Sequence, residues 1–114
     1  MSDKLFSFTD LNESAQQTAV KDFAIFYVHQ YENNDMELIA NYDQDGIVHD
    51  INRDLYINRF SLESTIISDS ISERFSKYAR LLENVDQKYY ENGNPEKNWP
   101  EWYEAKYAEI QRGL

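Results

Sequence analysis

The chain has 114 residues, and 21 Asp and Glu against 11 Lys and Arg give it a formal net charge of −10 at pH 7. This length predicts one acidic globular domain over residues 1–114, and the 41% of hydrophobic and 15% of aromatic residues exclude a disordered acidic tail. The acidic balance disfavours nucleic acid as a ligand, and the lack of cysteine excludes disulfides, thiolate nucleophiles and cysteine-based zinc sites.

The first strong helical pattern covers residues 13–32. Ala15, Ala19 and Phe23 recur at helical spacing, and Asp10 or Asn12 can cap the N-terminus. The stretch from residue 23 to residue 28 is apolar on every side, which is typical of a helix covered by the rest of its domain. We therefore predict a central, largely buried helix.

The next segment predicts a short helix followed by strands. Asn34 and Glu37 have capping-box spacing, and Gly46 can adopt the left-handed conformation that ends a helix. Between Ile47 and Leu62 a helical and an alternating pattern compete. The β-branched residues favour one or two short strands there.

The second half of the chain predicts two further helices. One apolar stripe runs from about residue 69 to residue 91 and predicts a single long helix, and a last helix follows from about Pro100. An aromatic stripe on the last helix is expected to pack on the core, with a partner-binding face as the alternative. We therefore predict a mainly α (α+β) fold, a compact single domain of about four helices with a short strand pair between the second and third.

The charges are distributed unevenly. No Lys or Arg occurs in residues 22–52, an interval that we call the charge gap, although it supplies seven of the ten net negative charges. Its carboxylates are Asp22, Glu32, Asp35, Glu37, Asp43, Asp45 and Asp50. Asp22 and Glu32 border the buried helix, so we expect the other five to face outwards. One-sided charge predicts a partner with a cationic surface.

The candidate binding residues follow from this interval. Carboxylates on an ordered surface can stand in for phosphates, and Asp43 and Asp45 would lie roughly 6–7 Å apart on one face of an extended chain. We predict that five carboxylates steer association and that two tyrosines anchor the partner. These are Asp35, Glu37, Asp43, Asp45 and Asp50 for steering, and Tyr31 and Tyr42 for anchoring.

No pattern predicts an enzyme, a metal or a cofactor. No segment resembles a nucleophile elbow, and three glycines in the chain exclude phosphate-binding and dinucleotide-binding loops. The segment 41–52 has part of the spacing of a calcium loop, but Asn52 stands where a bidentate Glu is required. A solvated acidic turn is the favoured interpretation, and a small Ca²⁺- or Mg²⁺-binding module remains an alternative.

The start of the chain resembles a known group of proteins. Phe8, Leu11, Ala15 and Ala19 match the F-x-x-L-x-x-x-A-x-x-x-A opening of many small phage and mobile-element proteins. The resemblance covers the first quarter of the chain. It implies a genomic neighbourhood in which small acidic inhibitors of host defence are frequent.

These features together predict a non-catalytic inhibitor from a phage or mobile element. It would present an acidic surface that mimics nucleic acid to a basic, nucleic-acid-binding site of a host defence protein, as anti-CRISPR and anti-restriction proteins do. An immunity protein or antitoxin that neutralises a basic toxin is the alternative. The sequence has no signal-peptide pattern and no apolar run of about 20 residues, so we expect a cytoplasmic protein without a membrane partner. Exposed aromatic residues would permit a homodimer.

Overall fold

Helices make up most of the structure. A computed structural model describes residues 4–33, 35–43 and 46–111. Over these residues the chain forms a 3₁₀ helix at Phe8–Asp10 and six α-helices. The α-helices are α1 Glu13–Glu32, α2 Glu37–Ala40, α3 Ile47–Ile57, α4 Glu63–Glu73, α5 Phe75–Asn84 and α6 Trp99–Gln111. The predicted mainly α class is confirmed.

Helix α1 forms the centre of the core, as predicted. The side chain of Asn12 caps it by accepting a hydrogen bond of 2.8 Å from the backbone N–H of Ala15. Phe23 and Tyr27 are inaccessible to solvent, and α4, α5 and α6 all contact α1. The continuous apolar stretch of α1 is therefore covered on several sides.

The aromatic residues of α1 hold α5 and α6 in place. The ring centroid of Phe23 lies 4.8 Å from that of Trp99 and 6.1 Å from that of Tyr78, the latter in an edge-to-face arrangement. Trp99 and Trp102 are both buried, and their rings pack against each other. The core-packing interpretation of the last helix is therefore correct for its two tryptophans.

The predicted strand pair is wrong, because residues 47–57 form helix α3. Ile47, Val48, Ile51 and Leu55 all lie on its buried face. Burial of each such side chain contributes about 1.5–3 kcal/mol, whereas the helix propensity of a β-branched residue costs only about 0.5 kcal/mol. Packing of one helical face therefore outweighs the local preference for strands.

The prediction of one long helix from about residue 69 to residue 91 is also wrong. This part of the chain forms two helices, and the second ends at Asn84. Helix α4 ends at Glu73 and α5 begins at Phe75, with Arg74 between them in a non-helical conformation. The guanidinium of Arg74 donates to the carboxylate of Asp54 on α3. The apolar spacing within residues 69–91 cannot predict this contact, because Asp54 belongs to another helix.

An irregular segment of residues 85–98 connects α5 to α6 and anchors both Phe6 and α6. Phe6 and Tyr89 exchange two backbone hydrogen bonds of 2.8 and 2.9 Å. The indole N–H of Trp102 donates to the carbonyl oxygen of Asp86 at 2.8 Å. Gly93 has a φ of +93° and packs directly against the backbone of Ala15. The segment thereby fixes α6 relative to α1.

Candidate protein-binding surface

The predicted steering carboxylates have different local roles. Asp35 and Asp43 are half-buried, whereas Glu37 and Asp50 are exposed. Asp45 lies outside the described residues. The charge gap therefore does not form one uniform surface, and each carboxylate has to be considered from its own contacts.

Asp43 caps helix α3. One of its carboxylate oxygens accepts a hydrogen bond of 3.0 Å from the N–H of Ile47, and the other accepts one of 2.9 Å from the N–H of Val48. A carboxylate at this position satisfies two backbone donors and interacts favourably with the positive end of the helix dipole. Asp43 therefore has a structural role whether or not it contacts a partner.

Asp50 lies one turn further along α3 and forms an ion pair with Lys77 of α5, with 3.7 Å between carboxylate and ammonium. Both side chains reach solvent, where such a pair contributes at most about 1 kcal/mol. Lys77, the cation of this ion pair, lies outside the charge gap. Asp50 is therefore partly neutralised in the folded protein, which lowers its value for steering.

Asp35 and Glu37 lie beside the tyrosines of α6. The hydroxyl of Tyr103 donates to the carboxylate of Asp35, and the rings of Tyr103 and Tyr107 stack at a centroid distance of 6.0 Å. Burial raises the pKa of Tyr103, and so do its hydrogen bond to Asp35 and the negative charge of Glu37. We call these four residues, Asp35, Glu37, Tyr103 and Tyr107, the acidic face.

No cation neutralises the acidic face within residues 4–33, 35–43 and 46–111, where neither Asp35 nor Glu37 forms an ion pair with Lys or Arg. Tyr107 is 46% exposed. The acidic face therefore combines negative charge with an accessible aromatic ring. Sequence reasoning noted Tyr103 and Tyr107 only as members of the stripe on the last helix, and nothing in their spacing links them to Asp35.

The two predicted anchor tyrosines lie at the edge of the core. Tyr31 and Tyr42 are both partly buried and pack against the core residues. The ring centroid of Tyr42 lies 5.7 Å from that of Trp102, and burial raises the pKa of its hydroxyl. Neither ring projects from the surface as Tyr107 does.

A second surface, which the sequence did not predict, lies where α3 leads into α4. Tyr56, Ile57, Phe60 and Leu62 are 57, 63, 89 and 76% exposed. The guanidinium of Arg59 lies over the rings of Tyr56 and Phe60, at 3.9 and 4.6 Å from their centroids. We call these five residues the α3–α4 cluster. It was missed because residues 47–62 were assigned to strands, where alternate side chains would be covered.

Two described residues of segment 41–52, which has part of the spacing of a calcium loop, have other partners. Both carboxylate oxygens of Asp43 are used by the cap of α3, and the amide oxygen of Asn52 accepts a hydrogen bond of 2.7 Å from the hydroxyl of Tyr27. Over the described part of the chain, no three His, Asp or Glu side chains group together as a metal site requires. These contacts give no support to the calcium-module alternative.

Comparisons with known proteins identify no relative of this chain. No family model matches the chain, and no curated protein or solved structure shows significant similarity to it. None of the helices within the described residues is long and apolar enough to cross a membrane.

Proposed function

We propose that this chain is a non-catalytic binding protein whose acidic face docks on a basic, nucleic-acid-binding surface of another protein. The observation that supports it most is the position of Asp35 and Glu37 beside the stacked Tyr103 and Tyr107, in a chain that has no Lys or Arg from residue 22 to residue 52. Negative charge next to an exposed aromatic ring suits recognition of a cationic partner.

The two kinds of residue would act at different stages of binding. The carboxylates of Asp35 and Glu37, with exposed Glu32 nearby in sequence, would accelerate encounter with a basic surface. Tyr107 would then slow dissociation, because aromatic side chains dominate the energetics of interfaces. The hydrogen bond from Tyr103 to Asp35 holds this carboxylate in place before binding, which reduces the entropy lost on association.

The finer proposal concerns the class of partner. The opening of the chain resembles that of small phage and mobile-element proteins, among which inhibitors of host defence are frequent. We therefore propose that the partner is a host defence protein that normally binds nucleic acid, and that the chain acts as an anti-CRISPR or anti-restriction inhibitor by mimicking the charge of DNA.

The proposal is tested by capture on the immobilised chain from a bacterial lysate at low salt. We expect a nucleic-acid-binding protein to be retained, to be released by salt, and to be displaced by double-stranded DNA. The double variant Glu32→Gln with Glu37→Gln should lose most of this retention. The matched control is Glu83→Gln with Glu96→Gln, which removes two exposed charges outside the gap and should retain it.

Two results would contradict the proposal. Equal retention by the charge variant and its control would show that the acidic face does not make the contact. A retained partner that DNA does not displace would contradict the proposal that the chain mimics DNA. Retention of a basic toxin in place of a defence protein would favour the immunity-protein alternative.

A further inference from the structure

The α3–α4 cluster contains most of the large apolar side chains that are exposed within the described residues. Its four apolar side chains stand out at the end of α3 and in the turn that follows, and together they expose on the order of 500 Å². Contiguous apolar patches of this size on a monomer are commonly interaction sites. The other exposed large apolar side chains of the described residues, Leu5 and Tyr107, lie elsewhere in the chain.

Arg59 contacts the two aromatic side chains of the cluster. Its guanidinium stacks on Tyr56 and Phe60, and one of its N–H groups donates to the carbonyl oxygen of Tyr56 at 2.7 Å. This carbonyl belongs to the last turn of α3, where a cation also interacts favourably with the helix dipole. Because the side chains are ordered before contact, less entropy is lost when the cluster docks.

Both signs of charge occur around the cluster. A small cleft lies directly beside it, and Asn58 and Ser61 of the turn form part of its wall. The acidic residues of the cleft are Asp54 and Glu73, which both pair with Arg74 of the same cleft, and Asp69 of α4. The cation of Arg59 therefore stands next to a cleft with an excess of acidic residues, which allows a two-fold contact between identical surfaces to pair opposite charges.

The charge of the whole segment also favours a second copy over a basic partner. Residues 53–85 contain five Lys or Arg and five Asp or Glu and are electrically neutral, in a chain whose net charge is −10. Two copies of this protein repel each other least where these neutral segments face each other. A basic partner is instead attracted to the acidic residues before position 53.

We propose that the α3–α4 cluster is a homodimer interface, in which the clusters of two copies pack together about a two-fold axis. Phe60 and Leu62 of each copy cover the apolar side chains of the other, and Arg59 of each copy faces Asp69 in the cleft of the other. The two patches together bury about 1,000 Å², at the lower end of specific interfaces, so we expect a dissociation constant of about 10–100 µM.

This inference does not depend on the proposed function, and salt separates the two. Docking of the acidic face on a basic partner weakens as salt is raised. The dimer should persist or tighten, because salt screens the repulsion between two copies of net charge −10 more than it weakens the two exposed Arg59–Asp69 contacts, and it leaves apolar contacts intact.

Sedimentation velocity between 5 and 500 µM, at low and high salt, tests the inference on the full chain. We expect the wild type to dimerise, and Phe60→Asp to raise the dissociation constant by at least about 100-fold, since the new charge would have to be buried. Phe60 is 89% exposed, so the variant should keep its far-ultraviolet circular dichroism. The matched control is Tyr107→Asp, which places a charge on the other exposed surface and should dimerise normally.

A complementation experiment tests the two-fold arrangement itself. Arg59→Glu and Asp69→Arg should each weaken the homodimer, whereas an equimolar mixture of the two should dimerise more tightly than either variant alone, because both cross-contacts then pair opposite charges. A wild type that stays monomeric at 500 µM, or a dimer that Phe60→Asp leaves intact, would overturn the proposal. Failure of the mixture to dimerise would overturn the two-fold contact.

Discussion

The acidic face and the α3–α4 cluster differ in how they relate to the core. Tyr103 of the acidic face is partly buried against core residues, and Asp35 is bound to it, so this surface is an extension of the core. The α3–α4 cluster projects from the end of α3 and the turn that follows, and its two aromatic rings contact Arg59. Changes in the interior should therefore affect the acidic face first, while changes at the cluster should leave the fold unaffected.

The largest expected effect comes from the segment that supports α6. In Gly93→Ala the added Cβ would lie 2.1 Å from the carbonyl oxygen of Ala15, and the φ of +93° disfavours any side chain. We expect the free energy of unfolding to fall by more than about 3 kcal/mol. Urea unfolding followed by tryptophan fluorescence measures it, since both tryptophans lie in α6.

Gly46→Ala is the matched control for this change. Gly46 also has a positive φ, of +74°, but a Cβ there would have no neighbour within 4 Å. We expect a loss of about 1 kcal/mol from the backbone conformation alone. Equal losses in the two variants would show that the contact between Gly93 and Ala15 does not hold the segment against α1.

An intermediate effect on the free energy of unfolding is expected at Asp43. Two variants separate the hydrogen bonds of its carboxylate from its negative charge. Asp43→Ala removes the acceptor for two backbone N–H groups at the start of α3 and should cost about 1–2 kcal/mol in urea unfolding. Asp43→Asn keeps one of the two acceptor oxygens and should cost less than Asp43→Ala, about 0.5–1 kcal/mol. If Asn is as destabilising as Ala, the negative charge of Asp43 beside the N-terminus of α3 stabilises the helix more than its hydrogen bonds do.

The smallest expected effect concerns the hydroxyl of Tyr103. Tyr103→Phe removes the hydrogen bond to Asp35 and should lower the free energy of unfolding by about 1 kcal/mol at pH 7. Tyr107→Phe, which removes an exposed hydroxyl from the neighbouring ring, should change it by less than about 0.5 kcal/mol. Thermal or urea unfolding of both variants measures the difference.

Alkaline pH sharpens the result for Tyr103. Its pKa in the folded protein is raised above the ordinary value of 10.0, so the unfolded state loses its proton first as pH rises. The stability that comes from this shift is present below pH 10 and decreases above it. The stability of Tyr103→Phe should therefore fall less steeply above pH 10 than that of the wild type. Parallel pH profiles would show that Asp35 does not interact with this hydroxyl.

The elements that could be predicted from the sequence are those determined by neighbouring residues. Helix α1 has its cap at Asn12 and its apolar spacing within one segment, and the structure agrees with both. Gly46 takes the predicted left-handed conformation, although it precedes α3 and does not end α2. Helix α3 was mistaken for strands because its β-branched residues face a core that other segments supply.

The candidate site was less predictable for the same reason. The charge gap identified the acidic residues, but only the folded chain distinguishes Asp43, which caps a helix, from Glu37, which is exposed. The link between Asp35 and Tyr103 joins two distant segments. The apolar stripe from Ile71 through Phe75 to Tyr78 continues past Arg74, so it carries no sign of the break that the contact with Asp54 accompanies.

The pairing of Phe6 with Tyr89 can form only late in the folding of the chain, because it joins distant segments. These residues lie far apart along the described chain, so the entropy of closing the intervening loop must be overcome before the pairing stabilises anything. During synthesis the ribosome releases the N-terminal residues first. Residues 56–62 therefore reach solvent before α6 has been made. The apolar cluster is available to other chains while the acidic face does not yet exist.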